Sequence, residues 1–141
     1  MNYPVYYELS FEGFRKYVEY MRLTTHDIVD KVALSPQETV AMKAILVKSV
    51  DEYNERVEYS EYYQVTLAYF CIQYVAYFNK KREKVIWLNG FTKECSFYSS
   101  KDSSYFESNV VDVEDGGNGY FDTVINLATG KASGINIHGS A

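Results

Sequence analysis

Cysteine, proline and histidine each occur only twice in this chain, and each shortage closes off a class of protein. Two cysteines, Cys71 and Cys95, are too few for a disulfide scaffold, and their spacing carries no CxxC metal or redox signature. The hairpin argued below puts them on opposite faces of a strand pair, so free, partly buried thiols are expected. Two histidines, His26 and His138, without an HExxH motif, cannot support a zinc claim. Two prolines in a chain that is 47% hydrophobic argue against extended disorder. Basic residues are outnumbered: 14 against 19 acids give a net charge of −5 and a pI near 5.0. No basic run exceeds "KKR" at 80–82, so nucleic acid and anionic membranes are poor partners. No stretch approaches the roughly eighteen apolar residues of a membrane span. The opening "MNYPVYYELSFEG" lacks a basic n-region, an apolar h-region and a small-residue cleavage site. That implies a cytoplasmic protein if the chain is full length, and an exported or periplasmic one if a leader has been removed.

What is abundant is aromatic. Fifteen tyrosines and eight phenylalanines help to make 17% of the chain aromatic, which favours strands and an interaction surface. A length of 141 residues fits one domain, 1–141, with one ordinary core. The first third reads as helical. In "SFEGFRKYVEYMRL", 10–23, Phe11, Phe14, Val18 and Met21 fall at helical spacing behind Ser10 as N-cap. Thr25 is placed to cap a short second helix over "HDIVDKVAL". "SPQE" at 35–38 then starts a long helix: Ser35 caps, Pro36 takes the first helical position and Glu38 completes a capping box. Met42, Leu46, Val50, Tyr53 and Val57 form its core stripe to about residue 58.

From residue 62 the period falls to two. "VTLAYFCIQYVAYFN" and "EKVIWLNGF" are joined by "KKRE" and predict a long antiparallel hairpin. A turn at Lys81 and Arg82 would pair Phe78 with Val85 and Tyr74 with Asn89, and set Cys71 across from Thr92. "SFYSSKDSS" reads as a loop, "SNVVDVED" as a third strand, "NGYFDTVINLA" as a fourth and "ASGINIHG" as a fifth, with "TGK" a tight turn before the last. Helices followed by four or five antiparallel strands predict an α+β fold, two or three N-terminal helices packed on one face of a curled sheet. Cystatin-like and NTF2-like architectures have this order.

Chemistry is harder to find. "DGGNG" at 115–119 leads into an alternating strand pattern, not the helix a phosphate-cradling loop opens, and no Gly-Lys-Ser/Thr follows. Asp112, Glu114, Asp115, Asn118 and Asp122 supply oxygens, but the EF-hand register is absent. The loop is therefore expected to turn the chain, and no metal or cofactor is expected. His138 has no marked nucleophile to serve, since no GxSxG occurs. Glu52, Glu55, Glu58 and Glu61 read as a solvated acidic face.

Three segments carry a resemblance: "YNERVEYSEYY", "IQYVAYFNKKREKVIWLNGF" and "VVDVEDGGNGYFDTVINLATGKASGINIHGSA". They resemble a family of small uncharacterised gut-bacterial proteins with a VIWxNxF…DGGNxYF…INL pattern, matched over roughly 40–58 and 70–141. Gly90 and Gly119 stand where that family often has cysteine. The resemblance implies a cystatin-like or NTF2-like fold and no known activity. Two functions are thus open. One is a non-enzymatic module binding a protein partner, of the immunity or inhibitor kind, with homodimerisation through the sheet also open. The other is a ligand pocket or small enzyme inside a cone, lined by Tyr74, Trp87, Tyr120 and His138.

Overall fold

The computed structural model describes residues 4–23, 27–57, 64–92, 104–112 and 117–138, with the backbone alone at Gly117, Asn118 and His138. The α+β class is what it shows. In chain order the elements are β1 (Val5–Glu8), α1 (Phe11–Tyr20), β2 (Asp30–Lys31) and α2 (Pro36–Arg56). A single 3-10 turn, Leu67–Tyr69, leads into β3 (Cys71–Phe78) and β4 (Lys84–Phe91). A short helix α3 (Ser104–Ser108) precedes β5 (Gly117–Asn126), β6 (Lys131–Ala132) and β7 (Asn136–His138).

The caps fall where the sequence puts them. Ser10 Oγ accepts from Gly13 N at 3.0 Å and starts α1. Arg22, at φ 55°, closes that helix in the left-handed region, with Arg22 N on Glu19 O and Leu23 N on Val18 O. Ser35 Oγ accepts from Glu38 N while Glu38 Oε1 accepts from Ser35 N, the reciprocal capping box. Glu38 also receives Lys84 Nζ at 2.8 Å, tying the helix start to β4. That hydrogen bond, then those of Ser35, hold the Glu38 carboxyl below its ordinary range. At the far end Asn54 clips the returning chain with two bonds to Val65, both 2.8 Å.

β3, β4 and β5 form an antiparallel meander at the centre of a sheet ordered β1-β3-β4-β5-β6. β1 runs parallel to β3 on one edge, so the sheet is mixed. β2 pairs with the far end of β3, and β7 with β5. Helices cover both faces, not one. Met42, Leu46, Val50 and Tyr53 of α2 meet Ile72, Ala76, Ile86, Leu88, Phe121 and Ile125. On the other face Phe14 and Val18 of α1 meet Val75, Tyr77, Val85 and Trp87. Phe106 of α3 meets Cys71, Phe91 and Tyr120 beside them. Gly90 sits directly under the Phe121 ring, where an added Cβ would lie 2.4 Å from it.

Four local expectations are corrected. Residues 27–34 hold β2 and no helix, and 108–112 end α3 and continue as irregular chain instead of forming a strand. The β3–β4 loop has three residues, Lys80–Arg82, because Arg82 takes φ 62° and Asn79 Oδ1 accepts from Lys81 N and Glu83 N. Phe78 therefore pairs with Lys84, Tyr74 with Leu88 and Cys71 with Phe91, one residue away from the expected register. Cys71 is disulfide-bonded, not a free thiol. β4 ends at Phe91, so the hairpin's alternation stops short of Cys95, which lies outside the described residues. Outside them too fall His26, Thr25 and the glycine loop's 113–116.

The helix register is open to a paired test. Leu46→Ala empties a fully buried site and should cost about 2–5 kcal/mol in urea unfolding. Val47→Ala, next to it but exposed, should change stability by less than about 0.5 kcal/mol. Equal losses would contradict the register.

Candidate functional site

Strand register decides which side chains can act together. Opposite residues of an antiparallel pair share a face, and a one-residue slip moves every side chain of a strand to the other face. With Tyr74 opposite Leu88 and Val75 opposite Trp87, the two aromatics expected to line one pocket lie on opposite faces of the sheet. Tyr74 is on the α2 side against Tyr6, ring centroids 6.4 Å apart. Trp87 is 7% exposed, covered by Phe14 at 5.2 Å and Tyr17 at 5.5 Å. Tyr120 is buried beside Phe106 and Phe91. His138 takes part in β7, with Gly117 as its strand partner. Tyr74 does not converge with Trp87 and Tyr120.

A different constellation was missed. Gln73, Asn89, Asp122 and Asn136 stand opposite one another across four strands, a polar row on the α1 face. Gln73 is wholly buried and Asn89 nearly so. Asn89 Nδ2 donates to Gln73 Oε1 at 3.1 Å and to Val111 O at 2.8 Å. Gln73 Oε1 accepts from Val111 N at 3.0 Å, and its Nε2 donates to Phe106 O at 2.8 Å and to Asn109 O. Asn136 Nδ2 donates to Asp122 Oδ1 at 3.0 Å. Among the described residues no buried side-chain polar atom lacks a partner. The Gln73–Asn89 half of the row is a clamp on the backbone of the 106–111 segment.

The clamp positions a cleft. β1 covers the β3 edge from Cys71 to Tyr74, and β2 covers Tyr77 and Phe78. Val75 and Ala76 between them have no strand opposite on that edge among the described residues. A cleft of about 860 Å³ opens there, walled by Leu9, Phe11, Val32 and Val75 and rimmed by Glu8, Lys31 and Glu107. Its banks are pinned: Leu9 N bonds Tyr74 O at 2.8 Å, Ser10 N bonds Glu107 O at 2.7 Å, and Val29 N bonds Phe78 O at 2.9 Å. Gly13 sits so close to the end of α3 that an added Cβ would lie 2.4 Å from Ser108 O. None of Tyr74, Trp87 and Tyr120 lines this cleft. A signal existed in the apolar–polar alternation of "VYYELS", which marks β1, but nothing local shows that its partner is β3.

Among the described residues no group of three histidine, cysteine, aspartate or glutamate side chains is placed to hold a metal ion. No described helix is long and apolar enough to cross a membrane. Comparison with protein-family models, with curated proteins and with solved structures finds no match to the chain.

Two tyrosines report on the two faces. Burial pushes Tyr6 up to about 12, and burial followed by the charges of Asp112 and Asp122 pushes Tyr17 up to about 12. The folded state keeps these protons after unfolded tyrosines lose theirs near a pH of about 10. Stability is thus full below about 10 and falls as pH climbs towards about 12. An alkaline absorbance titration should show Tyr6 and Tyr17 ionising well above the ordinary tyrosine range, together with loss of the native Trp87 emission. Uniform titration near pH 10 with the fold intact would contradict their burial.

Proposed function

We propose that this chain is a non-enzymatic interaction module that binds a protein partner, of the immunity or inhibitor kind. The observation that carries this reading is the cleft at the broken sheet edge. It is open to solvent, its banks are held by backbone hydrogen bonds, and its walls are apolar under a charged rim. A preformed surface of this kind loses little entropy on binding. Exposed Tyr20 and Tyr69, at 80% and 70%, add the aromatic surface that interfaces favour. The competing cone pocket loses its support because Tyr74 and Trp87 face opposite ways.

For architecture, we read the unit of α2 laid across β3, β4 and β5 as cystatin-like, with β1, α1 and α3 added around it. Kinship with the gut-bacterial family, suggested by "VIWLNGF" and "DGGNGYF", belongs to the same proposal. The bridge at Cys71 supports an oxidising compartment as its place of work.

The test is reconstitution. A partner captured with the purified chain should, once itself purified, form a stable complex on size-exclusion chromatography. Gly13→Leu, which wedges α1 away from α3 beside the cleft, should weaken that complex by at least about tenfold. A chain that forms no complex but is raised in melting temperature by a small ligand would contradict the module reading.

A further inference from the structure

We infer that the cleft between β1 and β2 receives an extended segment of the partner that presents a lysine or arginine side chain, an inference that rests on the interaction-module reading. The gap in the sheet edge spans only Val75 and Ala76, a width of about 7 Å at strand rise. That is too short for a strand to add to the sheet, and it suits a side chain entering from outside. The 860 Å³ of space, in the upper range of single-ligand sites, accommodates the flanking residues as well.

The walls and rim select what enters. Leu9, Phe11, Val32 and Val75 offer apolar surface, while two carboxylates, Glu8 at the end of β1 and Glu107 on α3, stand at the rim. Neither carboxylate is paired with a cation among the described residues. A long side chain with an apolar stem and a cationic head matches both features: the stem lies on the wall and the head reaches a carboxylate of the rim. Arginine fits best, because its planar fork can meet carboxylates in bidentate fashion. Lys31 on the opposite bank repels a second cation and favours an acidic or neutral residue next to the basic one. The chain's net charge of −5 draws a basic segment from a distance. The exposed Lys80–Arg82 tip of a second copy carries the same chemistry, so self-association belongs among the results to be read.

The experiment titrates the isotope-labelled full chain with a blocked pentapeptide holding one arginine between two leucines, followed by amide NMR. A matching peptide with glutamate in place of arginine is the control. The expected result is shift changes confined to residues 8–11, 31–33, 75–76 and 107–108, absent with the glutamate peptide. The Glu8→Gln/Glu107→Gln double variant should weaken binding by at least about tenfold with an unchanged melting temperature. Equal binding of the two peptides, shifts elsewhere, or binding indifferent to the double variant would overturn the inference. So would self-association through Lys80–Arg82 that saturates the cleft in the free protein. A purified partner that binds the double variant as tightly as the parent would sink this inference alone and leave the module reading standing.

Discussion

Two buried amides in the middle of the sheet, Gln73 and Asn89, hold one half of this structure in place. They face each other across β3 and β4, and Gln73 Nε2, Gln73 Oε1 and Asn89 Nδ2 all bond to the backbone of residues 106–111. An unpaired amide in such a place would cost about 1–3 kcal/mol, so the pair either captures that segment or destabilises the sheet. Once captured, the segment becomes a floor for the rest. Glu107 O takes the amide of Ser10, and Gly13 lets α1 close against Ser108. The wall of the cleft that carries Glu107 thus stands on a hydrogen-bond network two strands deep.

The other face needs no such device. α2 brings an unbroken apolar stripe to Ile72, Ala76, Ile86, Leu88, Phe121 and Ile125; burial fixes its middle, and the Glu38–Lys84 pair and the Asn54–Val65 clip fix its ends. The contrast explains the asymmetry of the protein. One face is a dry core under one long helix, and the other is a polar-studded surface under two short ones. The cleft opens at the β3 edge, where β1 leaves the sheet to become α1 and β2 returns to it, so elements of both banks are set by the chain's own reversal at Ser10.

Much of this was legible in the sequence. "SPQE" named the start of α2, Ser10 named the start of α1, and the stripe from Met42 to Tyr53 named the buried face, because each signal is local and the physics acts within one or two turns. The hairpin was legible as a pair of strands but not in register. Arg82 adopts a left-handed backbone that glycine or asparagine would have advertised, so the loop has three residues where two were expected. That single slip put Tyr74 and Trp87 on one face in the expected register, where the strand pairing sets them on opposite faces. The place of β1 in the sheet was hidden because a parallel pairing with a distant strand has no local signature, and β2 was hidden because two residues have none at all. The amide clamp was hidden for a related reason. Gln73 and Asn89 are recognisable only by their partners, which are main-chain groups more than fifteen residues away in sequence.

The central claim is that the Gln73–Asn89 pair is needed, beyond the burial of Phe106, Phe14 and Val18, to hold residues 106–111 and the α1 face against the sheet. Amide hydrogen exchange on a Gln73→Met variant, which keeps the volume and removes the hydrogen bonds, tests it most directly. The account predicts that Val111 and Ser10 lose protection while Ile86, Leu88 and Ile125 keep theirs. Unchanged protection at Val111 and Ser10, or equal loss throughout the sheet, would contradict it.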